Sequence, residues 1–263
     1  YKLYYCPNND VVIKCTDKFS VRKFVIQKGL GEYLNDLYGV WDTVEDIDWD
    51  NLPEQFVLKC THGCGYNIIC DAKSKLEINL EKKKISEWMS QDFGLFNAEP
   101  HYSKITPKIV CEKYLGEDII DYKFFCFDGE PEFMYIAQGF GKGINERITF
   151  FDKKGNRTPY RRSDYPEIEN AELPCNFEKM KKMSRTLAAE FPFVRVDWFE
   201  VDGKIYFGEL TFTPCGGLMK ISPIKYDKEL GEFFNIENQL KQIFNNKNKN
   251  KKLGIIGHFG ANK

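Results

Sequence analysis

Short segments rich in β-branched and aromatic residues recur along the chain, and clusters of Gly, Asp or Asn separate many of them. Their alternating or continuous apolar positions predict β-strands. The predicted strands are residues 55–60, 66–70, 108–112, 121–128, 131–138, 147–151, 194–200 and 204–210. Gly-containing turns, the last at Asp202-Gly203, join several consecutive strands, so we expect β-hairpins at these places.

Apolar residues at helical spacing predict α-helices between these strands. The predicted helices are residues 17–38, 74–90, 176–191 and 228–244. Asp17 and Asn176 are the expected N-caps of the first and third helices. Helices that alternate with antiparallel hairpins predict an α+β fold and argue against a doubly wound parallel sheet.

The content of hydrophobic, aromatic and charged residues excludes several classes of protein. The chain has 263 residues, of which 42% are hydrophobic and 15% aromatic, and this excludes a disordered or fibrous protein. The 38 basic and 39 acidic residues nearly cancel, so the overall charge gives no support for nucleic-acid binding. An anion site would have to be built from local groups.

Cysteine usage and hydropathy bear on the compartment. The nine Cys residues are odd in number and irregularly spaced, which favours reduced thiols and a cytoplasmic protein. No apolar run reaches the ~18 residues of a membrane-spanning helix. Because the sequence begins at Tyr1 and not at Met, we expect the chain to be part of a longer, multidomain protein.

The first candidate for chemistry is the segment Lys59-Cys-Thr-His-Gly63-Cys-Gly65. It places a Lys near the end of an apolar strand, before a loop whose glycines allow backbone N–H groups to approach a phosphate closely. The segment lacks the Gly-Lys-Ser/Thr of a Walker A loop. An ordinary hairpin turn is the alternative interpretation.

The second candidate is the pair of segments Arg195-Val-Asp197 and Glu209-Leu-Thr211. Side-chain alternation puts Arg195 and Asp197 on one face of a strand and Glu209 and Thr211 on one face of its partner. A hairpin centred on the intervening Asp-Gly turn brings Asp197 near Glu209, although the register is not determined by the sequence. Two facing carboxylates repel unless a cation lies between them, and Mg²⁺ prefers such hard oxygens. A surface hairpin with solvated acids is the alternative.

The third candidate is Glu112-Lys113-Tyr114-Leu115, which leaves a strand towards Gly116. The backbone of such a connector can present N–H and C=O groups to the edge of an adenine base. Any strand end followed by a turn can do the same, so this segment gains meaning only from its neighbours.

The order of these elements along the chain resembles the ATP-grasp superfamily, to which the D-alanine–D-alanine ligases belong. Three segments are most similar to the TupA-like ATP-grasp family of teichuronopeptide and capsular polysaccharide biosynthesis: FVLKCTHGCGYN, KYLGEDIIDYKFFCFDGEPEF and DGKIYFGELTFTPCGG. The resemblance covers about residues 15–230. It implies an ATP-grasp fold, in which two α+β lobes clamp ATP between antiparallel sheets.

The resemblance also implies a division of the chain into lobes. The N-terminal segment with its helix is residues 1–54, the small lobe with the Gly-rich loop is 55–115, the C-terminal lobe with the metal site is 116–244, and a flexible tail follows over 245–263.

Roles for the phosphate-side residues follow from the same resemblance. Lys18 and Lys59 would hold the α- and β-phosphates from opposite sides. The loop 61–65, with His62, Gly63, Cys64 and Gly65, would fold over the β- and γ-phosphates as a flexible lid, and His62 would either structure this loop or contact a phosphate. Lys123 would face the phosphates, and we expect Lys59 and Lys123 to act in catalysis.

Roles for the nucleoside and the metal are implied as well. The Glu112–Leu115 segment would contact adenine, and Asp121 would bind the ribose, with Glu117 as an alternative. Asp197 and Glu209 would bind two Mg²⁺ ions, Glu209 bridging them. The remaining matching residues are Arg195, which would steady the transferred phosphoryl group, and Thr211, which replaces the Asn usual in the superfamily and is either a third ligand or structural.

The resemblance predicts an ATP-dependent ligase that joins a carboxylate to an amine through an acyl phosphate, in the modification of a uronic acid or related carboxylate of cell-surface polysaccharide. The substrates would be a small-molecule or sugar carboxylate and an amine. The alternatives are a phosphotransferase on a sugar or small-molecule acceptor, a polysaccharide glycosyltransferase, and a module that binds ATP without turnover.

Several other polar residues remain as candidates. Arg147, Arg161 and Arg162 match the geometry of a bound carboxylate, with a solvated basic turn as the alternative. His101 and His258 are expected to be surface residues without a catalytic function.

Overall fold

The computed structural model describes residues 1–117, 119–139 and 146–235. Within these ranges, the Gly-containing turns predicted from the sequence join strands that pair with each other. The helices, numbered in chain order, are α1 (Asp10–Thr16), α2 (Val21–Gln27), α3 (Ile78–Met89), α4 (Phe93–Phe96), α5 (Phe177–Ala188) and α6 (Ile224–Gly231). The strands are β1 (Leu37–Trp41), β2 (Phe56–Cys60), β3 (Asn67–Cys70), β4 (Ile109–Lys113), β5 (Asp121–Phe127), β6 (Glu130–Gln138), β7 (Arg147–Asp152), β8 (Arg161–Arg162), β9 (Phe193–Val201), β10 (Lys204–Thr211) and β11 (Ile221–Ser222).

The small sheet is antiparallel and has the strand order β1-β4-β2-β3. Strands β2 and β3 form the expected hairpin around the Gly-containing loop. Alternate residues of β2, among them Phe56 and Leu58, are buried and pack with Ile85 of α3. Helix α3 therefore covers one face of this sheet. The other face is directed towards the second sheet.

The large sheet is also antiparallel, with the order β10-β9-β5-β6-β7. Two of its hairpins turn through adjacent residues with positive φ. These are Asp128 and Gly129 (46° and 85°) between β5 and β6, and Asp202 and Gly203 (51° and 73°) between β9 and β10. Two left-handed residues in succession form the turn whose twist matches that of the strands.

The two faces of the large sheet differ in chemistry. One face carries apolar residues such as Val196 and Trp198, which pack with Met180 of α5 and with Val12 of α1. We call this the helix face. The opposite face carries the charged residues of β9 and β10, and we call it the cleft face. Its β6–β7 end is covered by an apolar cluster that includes Ile221 of β11.

The N-terminal helical region corrects the prediction of one helix over residues 17–38. Helix α1 ends before Asp17, whose backbone is extended (φ −69°, ψ 120°). The Asp17 carboxylate accepts hydrogen bonds from the N–H groups of Phe19 (2.7 Å) and Ser20 (2.9 Å), and α2 begins just beyond this turn. The left-handed Gly29 (φ 76°) follows the end of α2.

The contacts of residues 1–54 divide this segment between the two lobes. Strand β1 pairs with β4 in the small sheet, and α1 and α2 contribute to the core on the helix face of the large sheet. The last predicted helix, residues 228–244, begins earlier, at Ile224. Its C-terminal part and the tail at 245–263, with His258, lie outside the described residues.

The burial of His101 and the state of the cysteines test two predictions from the sequence. His101 is wholly buried, so the expectation of a surface residue was wrong. All nine cysteines are free thiols, and Cys64, Cys175 and Cys215 are the exposed ones. None of the helices within the described ranges has the length and apolar character needed to cross a bilayer.

Candidate active site

A β-bulge at Gly208 brings the two acidic residues of the β9–β10 hairpin together. In a regular hairpin around Asp202 and Gly203, Asp197 would lie opposite Gly208, and Glu209 would fall on the other face. The observed register shifts between residues 207 and 209, so that Asp197 pairs with Glu209. A Cβ at Gly208 would lie 3.0 Å from the Asp197 carbonyl oxygen, and the missing side chain permits this close approach.

Asp197 is held between two cations. Arg195 donates from Nε to Oδ1 and from Nη2 to Oδ2, both at 2.7 Å, and Lys123 Nζ donates to Oδ2 at 2.6 Å. Asp197 is only 1% exposed, and its ion pairs offset the cost of burying the charge. Both oxygens are therefore engaged by this chain's own side chains.

Glu209 lies at the more accessible end of the same network. Its Oε1 accepts hydrogen bonds from Arg195 Nη2 (2.9 Å) and from the Thr211 hydroxyl (2.8 Å). Burial would raise the pKa of Glu209, but Arg195, Lys123 and Lys18 outweigh burial and lower the pKa to about 2. Glu209 is therefore a carboxylate throughout the physiological pH range.

The donor chemistry fits a magnesium ion that is shared with phosphate oxygens. Mg²⁺ is held by one or two carboxylates together with substrate phosphates and water. Glu209 is 39% exposed at its side chain, and its Oε2 makes no hydrogen bond within the described part of the chain. Asp197 would have to share an oxygen with the ion, and the Thr211 hydroxyl already bonds Glu209 and Arg195. Among the described residues, no group of three or more His, Cys, Asp or Glu is arranged to hold a metal ion by itself.

The Gly-rich loop is anchored to the segment that carries Lys18. The Lys18 backbone N–H donates to the Thr61 carbonyl (3.4 Å), and the Lys18 ammonium donates to the Gly63 carbonyl. A Cβ at Gly63 would lie 2.7 Å from the Tyr66 ring, and Gly65 has a positive φ of 77°. A side chain at position 63 would therefore clash with the Tyr66 ring, and a side chain at position 65 would be strained by the left-handed backbone.

The tip of this loop lies next to the charged residues of the large sheet. Cys64 as a residue is exposed, but its sulfur is partly removed from water, and this desolvation is the main cause that raises its pKa. Glu209 also raises this pKa, whereas Lys18 and Arg195 lower it. The thiol is thus within electrostatic range of the carboxylate and of both cations.

The contacts of His62 favour the first of its two expected roles, structuring the Gly-rich loop, over contacting a phosphate. The residue is 3% exposed, its Nε2 lies 3.0 Å from the Trp88 carbonyl oxygen, and its ring packs against Tyr66. Burial lowers the pKa of His62, which favours the neutral ring. The imidazole therefore fixes the loop to α3, and it does not line the cleft described next.

A cleft of about 490 Å³ separates the two sheets. The residues that line it include Lys59, Asp121 and the Glu112–Leu115 segment, so the structure brings these predicted residues to one place. The other lining residues are Asn35, Val57, Asn67, Ile69, Asp71, Gly116, Glu117, Ile119, Phe199 and Phe207. Apolar side chains of both sheets, among them Val57 and Phe199, line the gap together with charged and amide side chains, and this mixture suits a ligand of nucleotide size.

Glu112 anchors the connector between the lobes. Its carboxylate accepts from Lys59 Nζ (2.7 Å) and from Arg22 Nη1 (3.1 Å). The carbonyl oxygen of Lys113 accepts a hydrogen bond from Asn35 Nδ2 at 2.8 Å. Strand β4, the N-terminal region and Lys59 are thereby joined at the edge of the cleft.

Asp121 lies at the boundary between the cleft and the charged network. Burial raises its pKa, and Lys123, whose Nζ is 3.5 Å from Oδ1, lowers it. Glu117, the alternative ribose-binding residue, lines the same cleft. The structure leaves both carboxylates as candidates for a ribose hydroxyl.

Several residues near the site were missed from sequence. Arg22 and Asn35 contact the connector from positions without a local motif, so no sequence signal indicated them. Phe199 lines the cleft and lies two residues after Asp197, so side-chain alternation would have placed it on the same face. Tyr135 pairs with Lys123 across β5 and β6 and extends the polar row of the cleft face.

Comparison with known proteins identifies relatives of this chain. A family model described as TupA-like ATPgrasp matches residues 2–235. No curated protein sequence matches.

Solved structures that resemble the chain include several ligases. D-alanine–D-alanine ligase from Bacillus anthracis, complexed with ATP, is 18% identical, with a TM-score of 0.47, and the match covers 76% of this chain and 56% of that one. For the same enzyme from Helicobacter pylori the identity is 13%, the TM-score 0.47 and the coverage 80% and 57%. Phosphoribosylamine–glycine ligase from Thermotoga maritima is 15% identical, with a TM-score of 0.43, and the match covers 79% of this chain and 50% of that one. The matches thus cover between 50% and 57% of the length of these three proteins.

Proposed function

The chain belongs to the TupA-like ATP-grasp family, and from that premise we propose that it is an ATP-dependent ligase that forms an amide from a carboxylate and an amine. The observation that carries the proposal is one continuous arrangement. A nucleotide-sized cleft between two antiparallel sheets opens beside a row of Glu209, Asp197 and Lys123, with Arg195 bridging the two acids.

ATP would lie between the sheets, with its base at the connector. The Glu112–Leu115 backbone supports adenine recognition, and Asp121 or Glu117 would take a ribose hydroxyl. Lys59 would reach the phosphates from the small sheet, and Lys18 with the Gly63–Gly65 loop would approach them from the other side. Each cation offsets the charge of the polyphosphate.

Two Mg²⁺ ions would be held by Glu209 and Asp197, with Thr211 as a possible third ligand. When bound, they neutralise phosphate charge during transfer. Lys123 would contact a γ-phosphate oxygen, and Arg195 would stabilise the charge on the transferred group. Because little covalent help is needed, this positioning and charge neutralisation supply most of the catalysis.

The proposed reaction has two steps. An oxygen of the substrate carboxylate attacks the γ-phosphorus, the bond to the β–γ bridging oxygen breaks, and ADP leaves. The amine nitrogen then attacks the carbonyl carbon of the acyl phosphate, loses a proton, and releases inorganic phosphate. The Gly-rich loop would close over the site and exclude water while the acyl phosphate exists.

The substrate class and location are further parts of the proposal. The family's association with teichuronopeptide and capsular polysaccharide favours a uronic acid or related carboxylate as acceptor. The nine free thiols favour a reducing, cytoplasmic setting.

An oxygen-transfer experiment tests the reaction class. Candidate acids labelled with ¹⁸O in the carboxylate are incubated with Mg·ATP and hydroxylamine, which stands in for the unknown amine. A ligase gives a hydroxamate and places one ¹⁸O in the released phosphate.

The other outcomes would contradict the ligase assignment. A phosphotransferase would give a phosphorylated hydroxyl and no free phosphate. A glycosyltransferase would consume a nucleotide sugar and ignore ATP, and an ATP-binding module would bind ATP without releasing phosphate.

A further inference from the structure

The cleft face of the large sheet continues beyond Lys123 to a tyrosine that the proposed chemistry does not use. Tyr135 lies opposite Lys123, which in turn lies opposite Asp197, so the three side chains share one row. Tyr135 is 3% exposed, and its ring packs against Phe125 and Phe150. Within the described part of the chain its hydroxyl makes no hydrogen bond. The residue is buried as a whole, but its hydroxyl oxygen is not closed off from solvent, so a ligand can reach it and supply the missing partner.

The Tyr135 hydroxyl is within electrostatic range of three cations. Burial raises the pKa of Tyr135, and Arg195 and Lys123 lower it. Tyr165, over whose ring the Arg162 guanidinium stacks at 4.7 Å, packs against the apolar cluster that contains Tyr135. Tyr135 is also one of the groups that raise the pKa of Arg162, so the phenol is a neighbour of both the reaction centre and Arg162.

The Arg162 side chain is fixed by an ion pair, but one of its three nitrogens lacks a strong hydrogen-bond acceptor. Its side chain is 9% exposed, and Nε and Nη2 both donate to the Asp164 carboxylate, Nε at 2.9 Å. The remaining nitrogen, Nη1, lies 3.3 Å from the Cys215 sulfur. A thiol is a weak acceptor, so this contact leaves the Nη1 N–H groups available to an anion.

The two other candidate arginines are committed to backbone contacts. Arg147 Nη1 donates to the Glu167 carbonyl at 3.0 Å. Arg161 donates to the Thr158 and Tyr160 carbonyls and pairs with the Glu167 carboxylate at 2.7 Å. Of the three arginines considered from sequence, Arg162 is the one that stacks on Tyr165 beside the Tyr135 cluster and whose Nη1 contacts a weak acceptor, a thiol.

The loop that carries Cys215 joins Arg162 to the metal-binding strand. Strand β10 ends at Thr211, and Cys215 follows in the next turn of chain with a left-handed backbone (φ 52°). Thr213, between them, donates to the buried Glu99 carboxylate, which ties this segment in place. Arg162 is thus positioned relative to Glu209 through a short and anchored stretch of chain.

We propose that the acceptor acid lies across Tyr135 and carries a second anionic group, which Arg162 Nη1 and the Tyr135 hydroxyl bind. This inference rests on the proposed function, because the reacting carboxylate has to lie near Lys123 and Arg195. Arg195 uses Nε and Nη2 on Asp197, Glu209 and Thr211, and Arg162 uses Nε and Nη2 on Asp164. In this proposal each guanidinium therefore takes one of the two anionic groups of the acceptor.

The second anionic group should determine which of two related acids binds more tightly. L-glutamate should bind better than L-glutamine, and glucuronate 1-phosphate better than glucuronate, because each pair differs mainly in the second anion. The loss of one charge-assisted contact corresponds to roughly a tenfold change in affinity. The two pairs also distinguish a carboxylate from a phosphate as the second group.

The rate at which the exposed cysteines are alkylated measures binding of the probe acids and does not require the protein to turn them over. The wild-type protein with Mg·ADP is treated with iodoacetamide in the presence of each probe acid, and peptide mass spectrometry gives the modification rate at each cysteine. The dianionic member of at least one pair should slow modification of Cys215 at least threefold, while Cys175, on the helix-face side, serves as internal control. The monoanionic member should protect at about tenfold higher concentration.

Two arginine variants link protection to Arg162. In Arg162→Met the preference for the dianionic acid should disappear, with ATP affinity unchanged. Arg185→Met removes an arginine of α5 that pairs with Glu130 on the surface, and it should behave as wild type. The wild-type footprint remains decisive if Arg162→Met does not fold.

The outcomes separate this inference from the proposed function. If no dianionic acid protects Cys215, or if Arg162→Met keeps the preference, the inference is overturned even when phosphate release shows a ligase. If Cys215 is protected as expected but no acid supports phosphate release, the anion site stands and the ligase assignment fails.

Discussion

Replacing His101 by Phe should reduce the loss of stability that the protein shows on acidification. His101 is wholly buried, and neither ring nitrogen has a hydrogen-bond partner among the described residues. Burial, with a smaller contribution from Lys2, lowers its pKa from 6.5 to about 4. Phe retains the ring that packs against Tyr102, whose centroid is 4.6 Å away, and cannot titrate.

The sign and size of the effect follow from this shift in pKa. The unfolded chain binds a proton at His101 below pH 6.5, whereas the folded protein resists protonation until about pH 4. Stability from this residue is therefore complete above pH 6.5 and is lost as the pH falls to about 4. At about 1.4 kcal/mol per pKa unit, the loss is roughly 3 kcal/mol.

Urea unfolding followed by tryptophan fluorescence, at steps from about pH 4 to about pH 7.5, measures this difference. The wild type should lose roughly 3 kcal/mol more than His101→Phe between the two ends of the range. The acidic residues titrate alike in both proteins, so their contributions cancel in the comparison. Parallel profiles, within about 0.5 kcal/mol, would refute the assignment of a buried neutral imidazole.

Three further changes test other parts of the structure. Lys59→Met should weaken Mg·ATP binding about tenfold in a calorimetric titration, because it removes a cation from the cleft, whereas the exposed Lys75→Met should not. Thr213→Val leaves the buried Glu99 carboxylate without its donor and should lower the free energy of unfolding by about 2 kcal/mol, and an unchanged urea midpoint would contradict that contact. Gly65→Ala meets no neighbouring atom, so it should cost only about 1–2 kcal/mol, the strain of a left-handed residue, in the same assay.

The sequence predicted the hairpins well because their turns carry local signals. Asp202-Gly203 determines where β9 ends and β10 begins. The observed β9 is one residue longer than predicted at each end, and the observed β10 is one residue longer at its C-terminal end. The pairing of Asp197 with Glu209 depends in addition on the bulge at Gly208. A single Gly within a strand does not reveal a bulge, so the register could not be derived from the pattern.

Contacts between distant segments account for most of what the sequence did not show. Arg22 pairs with Glu112 across 90 positions, and neither residue lies in a pattern that indicates the other. The place of His62 in the Gly-rich loop left open whether it structures the loop or contacts phosphate, and packing against α3 determines where its ring lies. Short-range patterns do not encode such contacts, because they depend on how the sheets and helices pack.

The most direct test of the central claim is Mg²⁺-dependent release of phosphate from ATP, with an acid and hydroxylamine present, in Glu209→Gln. Gln keeps the shape of the side chain and removes the charge that would hold the ions, so the rate should fall about a hundredfold or more. Glu130→Gln, which alters a surface pair with Arg185, should retain the wild-type rate. Wild-type turnover in Glu209→Gln would contradict the account.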